Sequence, residues 1–204
     1  GSAKLSALAR LKPLFAAVTP DLLDELAAYR LGAAPAVVVP NGVDTARYRP
    51  PAPGEKAALR AELGWPKGTA FLYVGRIAWE KRLPAFVKAF AETRFGLASD
   101  AFLVLAGQGP ESEAVREAAS RAGLGKAVML LGARPDAERL YRAADVFILP
   151  SVSEGLSNAL LEAMSSGLAV LASRVGGTKD AVQDGQSGLL FDAGDTAGLK
   201  AALE

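Results

Sequence analysis

VFILPSVSEGLSNALLEAMSSGLAVLAS (146–173) holds one complete strand–helix–strand repeat. VFILP (146–150) and LAVLAS (168–173) are continuous apolar runs rather than alternating ones, as strands covered on both faces require. Between them Asn158 to Ser166 has helical spacing, Gly155 permits a sharp turn, and Ser157 stands where an N-cap belongs. The same alternation continues outward from this unit. Strand-like runs recur at FLYV (71–74), FLVLA (102–106), VMLL (128–131) and GLLF (188–191). Helical spacing fills the intervals at 83–93, 111–122, 137–143 and 178–182, and again from Thr196 to the end. This order predicts an α/β fold, a Rossmann-like open parallel sheet with right-handed crossovers and helices on both faces. Such sheets bind ligands outside the carboxyl ends of their strands, so the loops after these runs are the ones to search.

Upstream the pattern is thinner. VVVP (37–40) is a further strand candidate, followed by a turn at Asn41-Gly42, and Ala57 to Leu63 reads as a short helix stopped by Gly64 and Pro66. Phe15 to Thr19 resembles a strand with no visible partner, and Pro20-Asp21 opens a helix to about Arg30. Gly1-Ser2 reads as a tag remnant, with no secretory signal after it.

Composition removes whole classes of function. Half of the 204 residues are apolar, enough for one domain with a core and an attached segment. The net charge of +1 supplies no field for bulk nucleic acid or an anionic membrane, and no apolar run is long enough for a transmembrane span. Cysteine is absent, so there are no disulfides, thiolate metal sites or Cys nucleophiles, which fits a cytoplasmic protein. Histidine is absent too, which excludes His–Cys zinc sites and Ser-His-Asp triads. Chemistry here must come from carboxylates, Lys, Arg, backbone dipoles or the substrate itself.

Four loops carry candidates. After FLYV comes GRIAWEKR (75–82), where Gly75 allows a tight turn and Arg76 and Lys81 bring two cations to the sheet's mouth. Alone, this reads first as a solvated basic loop joining strand to helix. After VFILP comes SEGLSNALLEA (153–163), where the N–H groups of Leu156, Ser157 and Asn158 would form an anion site at a helix start. Glu162, four residues past Asn158, sits on the same helix face and suits paired ribose hydroxyls, and Glu154 could accept bonds from a sugar. Alone, the two glutamates are a loop residue and a helix-surface charge. After LAVLAS, Gly176 and Gly177 precede a short helix and expose N–H groups; after FLVLA, Gly107 marks a glycine turn. Both are weak signals singly. Together they place cations, helix starts and paired carboxylates along one sheet edge, a set that matches a diphosphate bridging a nucleoside and a sugar.

GRIAWEKR (75–82), AGQGP (106–110), ADVFILPSVSEGLSNALLEAMSSGLAV (144–170) and VGGTKDAVQDGQSGLLF (175–191) closely resemble the carboxyl-terminal domain of family-four retaining glycosyltransferases of the GT-B fold. The likeness covers about residues 36–203. It implies a hexosyltransferase-like parent, with a nucleotide-diphosphate sugar (UDP-, GDP- or ADP-linked) as donor and no cofactor or metal. It assigns Arg76 and Lys81 to the diphosphate, Glu162 to the ribose and Glu154 to the transferred sugar. It assigns residues 156–158 to phosphate, and the loop Gly132-Ala133-Arg134 to the base. Two positions depart from the family pattern, Asp180 for Glu and Arg82 for Gly.

The resemblance also implies that residues 1–34 are a remnant of an amino-terminal acceptor domain and 35–204 a donor domain cut short at its end. Such a fragment is expected to bind donor without transferring sugar. Its expected partners are the donor and the rest of the parent, not nucleic acid. A homodimer through an exposed 15–30 segment is a further expectation. The parent is expected to be cytoplasmic, with a peripheral place on the membrane open. A related GT-B epimerase, a phosphorylase and a non-catalytic interaction module are the alternative readings.

Overall fold

The computed structural model describes residues 14–26, 35–98 and 100–204. Six strands form one parallel sheet: β3 (Thr69–Val74), β4 (Ala101–Ala106), β5 (Val128–Gly132), β6 (Val146–Leu149), β7 (Ala169–Ser173) and β8 (Leu189–Phe191). Their spatial order is β5-β4-β3-β6-β7-β8. The chain therefore winds outward from β3 in one direction, returns to β6 and winds out the other way, which is the doubly wound order. All six residues of β4 are buried, as the unbroken apolar run requires.

Amphipathic helices close both faces. On one side α3 (Leu83–Ala91) packs between α5 (Ser112–Arg121) and α9 (Thr196–Leu203). On the other lie α2 (Glu55–Glu62), α6 (Ala137–Ala143) and α7 (Asn158–Ser165). In α3 the buried residues Leu83, Phe86, Val87 and Phe90 recur at helical spacing, and Phe90 meets Phe71 of β3 edge-on at 5.2 Å. Burying one such phenylalanine contributes about 2–3 kcal/mol, so these contacts rather than the surface ion pairs hold the helix to the sheet. Truncating Phe90 to Ala would leave a cavity and cost about 3–5 kcal/mol.

A short helix missed in the sequence, α4 (Arg94–Ala98), follows α3; with only five residues and Gly96 inside it, it lacks a readable period. The strand expected at 15–19 forms as β1 (Phe15–Ala17), followed by α1 (Pro20–Leu26). β1 is not unpaired. It runs parallel to β2 (Ala36–Val38), with Phe15 opposite Ala36, so β2 belongs to a separate two-stranded sheet rather than the large one. The expected unpartnered strand is corrected to this extent: β1 has a partner on one side, and nothing among the described residues pairs with its other side. The predicted α1 end at about Arg30 lies outside the described residues. The turn expected at Asn41-Gly42 falls later, at 45–47, where the Asp44 carboxylate accepts from the Ala46 and Arg47 N–H groups at 3.0 and 3.1 Å. No described helix is long and apolar enough to cross a membrane.

Candidate functional site

The sheet's direction of winding reverses between β3 and β6, and the loops leaving these two strands face each other there. From β3 the chain passes through Gly75 into a 3₁₀ turn at Trp79–Lys81. From β6 it runs through Pro150 and Glu154 to Ser157, whose hydroxyl accepts from the Leu160 N–H at 3.3 Å and caps α7. The loops are pinned together because the Val152 N–H donates to the Glu80 carbonyl at 2.8 Å.

Glycine allows the neighbouring loops to approach closely. A side chain at Gly107 would lie 1.8 Å from the Gly75 carbonyl oxygen, and one at Gly176 would lie 1.8 Å from that of Glu154. Only glycine fits either place, and both backbones have positive φ. The loops after β3 and β4, and those after β6 and β7, are therefore stacked backbone on backbone.

The structure brings some of the predicted residues together and leaves others apart. Lys81 and Glu154 meet: Nζ donates to Oε1 at 2.6 Å, with the side chains only 16% and 9% exposed. The Ser151 hydroxyl donates to the same Oε1 at 2.6 Å. Glu154 Oε2 accepts no hydrogen bond among the described residues. Arg76 lies apart from this pair, 67% exposed, and donates to Glu80 Oε1 at 2.5 Å. The Glu80 carboxyl is held below the usual range, first by its own backbone N–H and, against burial, by Arg76. Tyr73 supports the turn by donating to the Arg76 carbonyl at 2.7 Å.

The helix start at Leu156, Ser157 and Asn158 lies beside Glu154, and no hydrogen bond among the described residues uses these three N–H groups. One turn on, Glu162 Oε2 accepts from the Tyr141 hydroxyl at 2.8 Å. Arg134, after β5, holds Asp136 in a bidentate pair at 2.8 and 2.7 Å, which depresses the Asp136 pKa. The Gly176-Gly177 loop departs from its expected role in one respect. The Gly177 N–H donates to the Gly155 carbonyl at 3.0 Å and the Thr178 N–H to Val175, so both amides are spent on locking the loop.

A cavity of about 270 Å³ opens here, lined by Ser153, Glu154, Val175 and Gly176 on one side and Thr19, Asp21 and Leu22 on the other. The Lys179 ammonium holds the second side in place through Asp21 at 2.8 Å. A larger cavity of about 640 Å³ lies at the other end of the sheet, where Val146, Ala169 and Leu189 begin their strands. It is mainly apolar and collects none of the predicted site residues.

Sequence reasoning missed two supports. The Asn41 amide donates to the Leu156 carbonyl at 2.7 Å and fixes the helix start. Arg47 donates to the Pro135 carbonyl at 3.2 Å, tying the same upstream segment to the loop after β5. Neither partner is near in sequence. The only available signal was a polar residue in a stretch that reads as turn.

The model of the family described as glycosyl transferases group 1 matches residues 68–204. The chain belongs to that family. Among its relatives, this group 1 domain is 41% identical over 176 residues to the D-inositol 3-phosphate glycosyltransferase of Nocardia farcinica. That match covers 81% of the chain but 38% of the relative, so the domain spans about two fifths of the relative's length. Anabaena HepE, solved in complex with UDP, has the same fold, with a TM-score of 0.86 at 24% identity over 98% of this chain and 57% of HepE. The carboxyl-terminal domain of LpcC, a group 1 family protein of Francisella tularensis, gives a TM-score of 0.70 at 26% identity. That comparison covers 79% of this chain and 86% of the other, so the likeness takes in most of a carboxyl-terminal half. The fold is thus one half of a GT-B glycosyltransferase.

Proposed function

We propose that residues 35–204 are the donor-binding domain of a retaining, metal-independent glycosyltransferase, and that residues 1–34 end the amino-terminal domain that completes it. The observation that carries this reading is the Lys81–Glu154 pair beside the helix start at 156–158, with Glu162 one turn deeper. The helix start presents N–H groups to a diphosphate, and its dipole favours the negative charge. Lys81 and Arg76 add the cations that stabilise the leaving diphosphate as its bond to the sugar breaks, the task a divalent ion performs elsewhere. Glu154 keeps Oε2 for a hydroxyl of the transferred sugar while Lys81 and Ser151 hold Oε1. Glu162 accepts from the ribose hydroxyls, and the base rests by the Gly132–Arg134 loop. HepE, a protein of the same fold, holds UDP. This supports a nucleoside diphosphate as the bound group.

A thermal-shift panel of UDP, GDP and ADP, with and without their sugars and with chelator present, tests this. One nucleotide should raise the melting temperature in chelator, and calorimetry should show that Arg76→Ala and Glu162→Ala each weaken it. Binding that survives both substitutions, or that needs a divalent ion, would sink the assignment.

A further inference from the structure

The chemistry above leaves Tyr141 without a task. It is fully buried in α6, yet its hydroxyl reaches across to α7 and donates to Glu162 Oε2 at 2.8 Å. The ring is held on two sides: Tyr48 meets it edge-on at 5.7 Å, and Phe147 lies 6.1 Å away. Tyr48 is fixed in turn by Arg47, whose guanidinium lies 5.4 Å from the Tyr48 ring centroid and donates to Glu138 at 2.8 Å. The titratable groups facing this cluster are Arg47, Tyr48, Glu138 and Glu162, with Tyr73 of β3 on the sheet side. Burial first, and the charge of Glu162 second, push the Tyr141 pKa up, so its hydroxyl remains a donor at any ordinary pH. A carboxylate offers about four lone-pair positions, of which the tyrosine takes one. Glu162 is only partly buried, and its Oε1 accepts no hydrogen bond of ordinary geometry among the described residues, although Tyr48 also faces the carboxylate, whose charge, after burial, raises the Tyr48 pKa.

We infer that Tyr141 is a positioning residue for Glu162: by holding Oε2 it fixes the carboxylate plane, so that Oε1 and the remaining Oε2 lone pair meet the vicinal hydroxyls of a donor ribose. The inference rests on the donor-site reading above. A free glutamate on a helix surface samples several rotamers, and a carboxylate tied at one oxygen by a buried phenol does not.

Calorimetry with UDP, GDP and ADP, each beside its 2′,3′-dideoxy counterpart, measures how strongly the protein prefers the ribose diol. The unaltered protein should prefer the ribonucleotide by about tenfold or more, since hydrogen bonds to a charged group are the strong kind. Tyr141→Phe keeps the ring contacts and removes only the hydroxyl. It should bring the preference down to within about threefold of the Glu162→Gln value while leaving dideoxynucleotide affinity unchanged. In the Glu162→Gln background it should have almost no effect on the preference, because the two residues act through one contact. A preference left intact by Tyr141→Phe, with only the melting temperature lowered, would make the tyrosine structural and overturn the inference. So would additive effects in the double variant. If the unaltered protein binds no nucleotide at all, the donor-site reading fails first and the inference falls with it, a result distinct from binding with an unmoved preference.

Discussion

Strand β6 has a carboxylate near each end, and the two are built on opposite plans. Asp145, just before its amino end, is fully engaged. Oδ1 accepts from Lys56 at 3.0 Å, and Oδ2 accepts from Arg60 and from the Ala70 N–H, the latter at 2.8 Å. Glu154, beyond the carboxyl end, takes both of its donors on one oxygen and leaves the other without a partner among the described residues. Asp145 joins α2, β3 and β6 and uses its hydrogen-bonding capacity within the fold. The Glu154 side chain is largely withdrawn from water but keeps accepting capacity in reserve. The site end also holds the backbone strain. Arg82 alone among the described non-glycine residues has a positive φ, at 52°. The contrast teaches that two carboxylates withdrawn from water can differ in how much hydrogen-bonding capacity the fold itself uses, and that only the proposed site keeps some of it unused.

Substitutions at the two ends should separate them. The largest effect is expected from Asp145→Asn, which removes the charge that Lys56 and Arg60 share. It should lower unfolding free energy by about 2 kcal/mol in urea titrations, a figure reduced because the carboxylate is only partly buried, and leave nucleotide affinity alone. Acid should do the same more gradually. Burial raises the Asp145 pKa, but the Ala70 N–H and the Arg60 and Lys56 side chains outweigh it, and the group sits below the usual aspartate value. A depressed folded-state pKa means that its stabilisation is complete above the unfolded value of about 4 and is lost as pH falls through the folded one. Asp145→Asn should therefore flatten the stability profile below about pH 4, measurable by thermal melting in a pH series.

Glu154→Gln should give the reverse pattern. Gln keeps an oxygen for Lys81 and Ser151, so the fold should persist, while affinity for a nucleotide sugar falls about tenfold relative to the nucleoside diphosphate alone. Equal losses for both ligands would remove Glu154 from the sugar's side of the site. The smallest effect is expected from Arg82→Gly, which relieves the left-handed backbone. Stability should rise by about 0.5–1 kcal/mol, part of the relief being offset by glycine's freedom in the unfolded chain. The left-handed backbone falls at one of the two positions where the sequence departs from the expected pattern, and glycine is the residue that such a backbone suits.

The six-stranded sheet was legible because its strands are continuous apolar runs, a signal that β4 carries in all six residues. The four glycine loops were legible for a related reason, since parallel strands send all their exits to one edge. What stayed hidden depends on distant pairings. β1 and β2 are three residues each, and nothing in either run names the other. Asp145 meets its cations across 85 and 89 positions, and Asn41 meets Leu156 across 115. The Lys81–Glu154 pair spans 73 positions; sequence placed both residues on one edge but could not place them in contact. The Gly177 amide was misjudged because a glycine pair signals bare backbone, whether a ligand or another loop fills the space.

The stacked glycine loops also bear on how fast a ligand can be captured. Gly107 against Gly75 and Gly176 against Glu154 bring neighbouring loops into backbone contact, with no side chain between them. The ordering entropy of this edge is therefore lost when the chain folds and is not charged again at each encounter with a nucleotide. Association at this face should resemble docking onto a rigid plate, with single-exponential kinetics and a rate constant set by diffusion and by the cations at its rim.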